Sequence, residues 1–264
     1  MNLRLSAVAV VVLTLVSTLG QPSPAASAPI PGDHPGVSRV VLTDAEGHRS
    51  AAAMAGGPDR ATEAISTGVV EVDEFLVAGL TWDAGERLGV GTDIRMRVRE
   101  DRGWSQWLDV EPDAAADRGA RAGTEPFVTG GADAVQVVVT GSSADLPAEL
   151  ELNLISPADE GTSTTWSSAT SSAASVAEAS PAIVDTPAGV VHTRADWGLT
   201  AAEEQFTSAH WVSEFFALQA AVLHHTAGTN SYTSGQSAGV VHSIWVYHAQ
   251  SLGWGDIGYN FLVD

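Results

Sequence analysis

Between Val37 and Ile155 the chain is written in short runs that alternate apolar and polar residues, each closed by Gly, Pro or Asp. In Asp93-Ile-Arg-Met-Arg-Val-Arg99 the alternation is complete, with Ile94, Met96 and Val98 on one side and Arg95, Arg97 and Arg99 on the other. Side chains alternate faces on a strand but return to one face only every three to four residues on a helix. Such runs can therefore bury a single face only as strands. Further runs at Val37 to Leu42, Val69 to Leu80, Trp104 to Val110, Ala134 to Thr140 and Glu149 to Ile155 predict an all-β, sandwich-like or barrel domain over residues 29–156. The arginine stripe could touch anionic polymers, although a solvated face balancing nearby carboxylates explains it more simply. Trp104 and Trp107 could stack on sugar rings, or at least one of them could pack in the core.

The chain has no cysteine, so its cores must be held by packing alone and no cysteine within it can bind a metal. Residues 1–28 begin with Arg4, run through apolar Ala7 to Val16 and reach small residues at Ala26-Ser-Ala28, the pattern of a removable secretory signal peptide. Pro29 makes cleavage after Ala28 unfavourable and leaves a cut near Ala25 as the alternative. The leader is too short to span a bilayer comfortably and no second apolar run exists, so the mature chain is expected to be exported, extracellular and without an integral membrane segment. Acidic residues number 32 against 12 basic ones, and the net charge of -20 argues against nucleic acid or an anionic membrane as partner. Residues 157–188 are rich in Ser, Thr and Ala with Trp166 as their one aromatic, too little apolar surface to offset ordering, and they read as a linker.

From Gly189 the pattern becomes mixed α/β. Val190 to Arg194 reads as extended, Asp196-Trp-Gly198 as a turn, and Gln219 to Thr226 as an internal strand ending in two histidines. Thr233 or Ser234 could cap a helix running to Leu252, with Val241, Trp245, His248 and Leu252 on one face and Gly253 at its end. Ile257 to Val263 reads as a further strand after a Gly-Asp turn, with Asp256 setting that turn. Histidines closing a strand, with Tyr259 on a second strand, could frame a metal-centred hydrolytic site. His242 and His248 cannot complete it, because on a helix they stand about 240° apart.

Four blocks in order, His192-Thr-Arg-Ala-Asp-Trp-Gly198, Val222-Leu-His-His-Thr-Ala-Gly228, Tyr247-His248 and Gly253-Trp-Gly-Asp-Ile-Gly-Tyr-Asn-Phe-Leu-Val263, resemble the peptidoglycan recognition protein and type 2 N-acetylmuramoyl-L-alanine amidase family. The resemblance covers residues 189–264, about the first half of such a domain, and the β-rich front looks like the segment preceding it in secreted actinobacterial members. It implies a central mixed sheet flanked by helices, zinc as cofactor, and cleavage of the amide between N-acetylmuramic acid and L-alanine in peptidoglycan. On it, His224 is a zinc ligand and Tyr259 a catalytic hydrogen-bonding residue, while His225, Thr226, His248 and Trp254 are expected at the substrate. His225 could equally be structural, while for His248 a wall or core role and for Trp254 a core role is the simpler reading. The remaining ligands, a histidine and a cysteine or acidic residue, are expected beyond Asp264, which makes 189–264 an incomplete domain. The protein is expected to be associated with the cell wall, and a non-catalytic peptidoglycan-binding module is the alternative.

Overall fold

The alternating runs fold as strands, and the long ones extend further than the sequence pattern does. The structure is a computed structural model describing residues 36–43, 53–55, 63–113, 119–141, 146–156, 184–186, 189–214, 217 and 219–263. All of them fall within one unit, Pro31–Asp264. The expected signal peptide over 1–28 lies outside the described residues, as does all of the expected linker except residues 184–186.

In chain order the front region holds β1 (Val37–Val41), β2 (Ala53–Ala55), β3 (Glu63–Thr67), β4 (Val70–Asp83), β5 (Asp93–Glu100), β6 (Gly103–Trp104), β7 (Leu108–Asp109), β8 (Arg121–Gly123), β9 (Phe127–Gly141) and β10 (Glu151–Ile155). The predicted run Trp104 to Val110 is thus broken into two short strands, and β2, β3 and β8 carry no clear alternation in the sequence. The central order is β1-β10-β4-β9-β3-β2, with β5 on β9, β6 and β7 on β5, and β8 on β4. These front pairings are antiparallel. Register shifts interrupt the β4–β9 ladder on either side of Phe75, and such bulges bend a long strand. The front region is therefore a mostly antiparallel β-sheet fold, as the alternation requires.

Ile94, Met96 and Val98 are buried together with Phe75, Leu80, Trp82, Phe127 and Leu152 in the main core. The arginines opposite them are compensated on the outer face: Arg99 pairs with Asp133 at 2.7 Å and Glu71 at 3.1 Å, and Arg95 with Asp93 at 3.3 Å. Arg97 stacks between Trp104 and Trp107 at 4.8 and 4.7 Å. Neither of those tryptophans joins the main core; that role falls to Trp82, only 2% exposed.

The second region adds β11 (Val184–Thr186), paired antiparallel with β12 (Gly189–Val191), then α1 (Ala201–His210), β13 (Ala227–Gly228) and α2 (Ser237–Val246). A π-helical turn, Tyr247–Ser251, continues α2. Helix α1 starts at a capping box in which Thr200 Oγ1 accepts from Glu203 N and the Glu203 carboxylate accepts from Thr200 N. Helix α2 begins later than the capping residues suggest, because Gln236 Oε1 accepts from both Thr233 N and Thr233 Oγ1 and holds that segment as a turn. Trp245, His248 and Leu252 are buried as the predicted face requires, and Gly253 follows at φ +72°.

Helix α2 and its continuation pack on the outer side of β4, β9 and β10, sharing a second core with Leu76, Val77, Val128 and Ile155. This is why residues 75–82 are buried without alternation: the sheet core covers one face and the helix the other. Tyr247 is the anchor, its hydroxyl donating toward Leu80 O and Thr124 O, both at 3.0 Å. Its ring lies over Gly79, where any Cβ would overlap it.

Two expected strands do not form. Residues 219–226 and 257–263 are irregular and mostly exposed, with Leu223 at 93% and Phe261 at 79% exposure. A strand exists only where a neighbour takes its backbone N–H and C=O groups, and no described strand pairs with either stretch. The described second region is thus helices packed on a mostly antiparallel sheet, to which it adds only the two-residue parallel strand β13, and it does not show the central sheet flanked by helices that the resemblance implies.

Candidate functional site

The Leu-His-His-Thr-Ala-Gly segment is tied to the sheet immediately after its histidines. Ala227 and Gly228 of β13 pair in parallel with Phe127 and Val128, at the start of β9, and Thr229 N donates to Val128 O at 3.0 Å. Gly228 sits at φ +130° so close to Val128 that no side chain fits, which explains a glycine there. Just beyond, Glu100 accepts from Thr229 Oγ1 and Ser231 Oγ at 2.7 Å and from Gly130 N at 2.9 Å. One carboxylate at the end of β5 thus clamps both the loop after the histidines and Gly130 of β9.

His224 itself is exposed, its Nδ1 facing His225 O at 3.3 Å. The Tyr259 ring lies 5.4 Å from the His224 ring and 5.1 Å, edge-on, from the His248 ring. His248 in turn stacks on Trp254 at 4.6 Å. Residues distant in sequence therefore converge: His224, Tyr259, His248 and Trp254 form a continuous row of rings. His248 and Trp254 are buried and back this row from inside, whereas His224 faces solvent. His225 is exposed and its Nδ1 contacts Thr226 O at 3.0 Å, so it stands outside the row. Thr226 is half-buried beside β13.

The π-helical turn after α2 holds Tyr259 in place. His248 Nδ1 accepts from Gly258 N at 3.1 Å and His248 O from Trp254 N at 3.0 Å. An accepting Nδ1 puts the ring proton of a neutral imidazole on Nε2. Burial keeps His248 neutral by pushing its pKa down to about 3. His248 Nε2 and Trp254 Nε1 are buried donors with no hydrogen-bond partner among the described residues.

Two contacts around the candidate site were not legible in the sequence. The first is Tyr259 Oη, which donates to Glu125 Oε2 at 3.0 Å, reaching across to the front region. Burial, followed by the charge of Asp113, raises the Glu125 carboxyl above its ordinary range, and His224 acts in the opposite sense. Burial and the Glu125 charge likewise raise the Tyr259 phenol, which keeps its proton. The second is Asp256, expected to set a turn. It does so, accepting from Ile257 N at 2.8 Å, but it also receives both arms of Arg194 at 2.8 and 2.6 Å. Arg194 is the sole basic residue of 189–264, a signal that could have singled it out.

A cavity of about 430 Å³ opens beside that ion pair, lined by Arg194, Glu204, Trp211 and Asp256 among others. None of the expected site residues lines it, and the ring row is the better candidate because it brings the motif residues together. Among the described residues no group of three His, Cys, Asp or Glu stands where it could hold a metal ion. No helix among them is long and apolar enough to cross a membrane.

The chain is similar to peptidoglycan-recognition protein SC1a of Drosophila melanogaster, 40% identical over 73 residues, covering 28% of this chain and 36% of that protein. The SC1a/b protein of Drosophila simulans matches to the same extent. Peptidoglycan-recognition protein SC2 of Drosophila melanogaster is 38% identical over 71 residues, 27% of this chain and 35% of that protein. The chain spans about a third of the length of these relatives. Residues 32–182, more than half of the chain and the stretch that carries the antiparallel sheet, match the model of a domain family described as Rv3811 N-terminal galactose-binding domain-like. The chain belongs to the Rv3811 N-terminal galactose-binding domain-like family.

Proposed function

We propose that this chain acts on peptidoglycan and that its chemistry is zinc-dependent hydrolysis of the amide between N-acetylmuramic acid and L-alanine. The observation that carries the reading is the exposed His224 ring standing 5.4 Å from the Tyr259 ring, two motif residues brought together from separate segments. The similarity to peptidoglycan-recognition proteins supports the class of substrate. The leader-like residues 1–28 support export and a place at the cell wall.

His224 suits a metal ligand, because its Nδ1 is turned to the His225 carbonyl, which leaves Nε2 as the nitrogen for coordination. It is one donor, and the described residues add no further set of ligands to it. Zinc, when bound, would polarise the amide carbonyl and lower the pKa of a water. The chain's own part is then to present His224 from the loop clamped by Glu100, to orient the substrate amide with the Tyr259 hydroxyl, and to wall the site with rings braced from α2.

A second reading, a module that binds peptidoglycan without cutting it, is favoured by the ring row itself. Tyr259, His248 and Trp254 are held by packing and backbone hydrogen bonds that need no metal.

Calorimetric titration of a soluble muropeptide, zinc analysis, and assay of stem-peptide release by the full-length protein separate these readings. For the amidase, His224→Ala weakens zinc affinity by at least about 100-fold and abolishes release, since losing a direct ligand exceeds the 10–100-fold typical of outer-shell losses. Muropeptide binding with no release at any zinc concentration selects the binding module. No binding at all sinks both.

A further inference from the structure

The hydroxyl of Tyr259 is already engaged, and its partner lies outside the region that resembles an amidase. Glu125 sits between β8 and β9, two positions before the residue that pairs with Ala227, so the chain leading into the strand that holds the histidine segment carries the carboxylate that holds the tyrosine. Its place is fixed from both sides. Glu125 N donates to Glu111 O at 2.9 Å, Thr124 N to Leu80 O at 3.0 Å, and Pro112 bridges Thr124. The other end is equally constrained, with the Tyr259 ring edge-on to the buried His248 ring and Gly258 bonded to His248 Nδ1. The backbone of Glu125 is thus fixed by its hydrogen bonds, and the Tyr259 ring by its contact with His248.

A phenol has one proton and two lone pairs. A hydroxyl free to turn could donate to the oxygen that gains charge as an amide is attacked. A hydroxyl whose proton is committed to a carboxylate meets the substrate with its lone pairs, and so accepts. We propose that Glu125 is a positioning residue for Tyr259, holding its hydroxyl so that it receives an N–H of a bound peptidoglycan stem rather than donating to a carbonyl oxygen. The inference deepens the proposed function and rests on that reading for its substrate. It also gives the galactose-binding-like region a part in the site, since the group that sets the polarity of the tyrosine comes from there.

The test uses the whole protein labelled with [13Cζ]tyrosine, whose few tyrosine resonances are assigned with Tyr259→Phe, together with calorimetric titration of muramyl tripeptide. Glu125→Gln keeps an acceptor oxygen, whereas Glu125→Leu, with Glu125→Ala should the leucine variant fail to fold, removes it. The Tyr259 Cζ resonance is expected to move in the leucine or alanine variant and stay close to the wild-type position in the glutamine variant. Affinity is expected to fall about fivefold to tenfold on losing the acceptor, the worth of one ordinary hydrogen bond, and to recover to within about twofold with glutamine. In a Tyr259→Phe background, removing the Glu125 acceptor should change affinity no further. Equal losses with and without Tyr259, or a Cζ resonance that Glu125→Leu leaves in place, overturn the proposal. If the wild-type protein binds no muramyl tripeptide, the reading of the function fails and the acceptor role toward a stem peptide falls with it. The Cζ shift then still reports whether Glu125 holds the hydroxyl.

Discussion

The front sheet and the C-terminal stretch contain equally apolar runs, yet only the first set becomes strands. Residues 75–82 are buried because β9 and β10 take their backbone groups, the main core covers one face, and α2 covers the other. Residues 219–226 and 257–263 are as apolar in places, and they lie open with Val222 87% and Val263 88% exposed. The two residues that do pair, Ala227 and Gly228, are those that meet β9 at its first positions. Apolar character supplies the reason to leave water, but a neighbouring edge decides whether the result is a strand. The comparison also locates the candidate site, which lies where the second region leans on the first.

The largest effect should come from cutting into the shared sheet. Phe75 is fully buried at the bulge between β4 and β9, with Thr129 Oγ1 donating to its carbonyl at 2.7 Å. Phe75→Ala is expected to cost about 3–5 kcal/mol, the range for deleting a large buried side chain. Urea unfolding followed by circular dichroism and by tryptophan fluorescence checks this. Because α2 packs on the other face of the same strand, both signals should shift together. A fluorescence transition that stays in place while the circular dichroism transition moves would show that the helices are stabilised independently of the sheet.

How much of this was legible depends on how local each signal is. The alternation of Ile94, Met96 and Val98 identifies strand and core at once, because a strand face is a property of adjacent residues. The face Trp245, His248 and Leu252 is legible for the same reason, as is Gly253 at the helix end. The π-helical turn and the late start of α2 were not, since Gln236 captures Thr233 through a side-chain contact that no periodicity records. The motif blocks pointed to His224 and Tyr259, which the structure brings together. Glu125 and Glu100 carry no such mark. Their roles arise from contacts separated by more than a hundred residues, and one chain read alone gives no measure of those distances.

An intermediate effect is expected from pH, acting through the buried ring behind the site. Burial lowers the His248 pKa to about 3, while the unfolded chain takes up that proton near about 6.5. Between these values the unfolded state binds the extra proton. Stability is therefore fully expressed above the unfolded value and declines as pH falls toward 3, by at most about 1.4 kcal/mol per pH unit from this group. Comparing wild type with His248→Gln by denaturant unfolding across that window isolates the contribution, with a shallower decline expected for the variant. Identical slopes would mean that the ring is accessible to water, and the site would then lack its buried backing.

The smallest effect tests the exposed side of the comparison. Leu223 precedes the two histidines, reads as the inside of a strand, and is 93% exposed. An exposed side chain with no packed neighbour has little to lose, so Leu223→Gln should change stability by no more than about 0.5 kcal/mol, the usual range for surface positions. Burial in a sheet would give a very different result, since losing a packed leucine to a polar residue combines a cavity with an unsatisfied amide and costs about 2–5 kcal/mol or more. The same urea experiment distinguishes the two outcomes. A near-zero change leaves His224 on a loop anchored only from β13 onward, where Glu100 and the β9 edge hold it. A large loss would mean that residues 219–226 are packed as a strand in solution, and the exposure of His224 would have to be abandoned along with the contrast between the two regions.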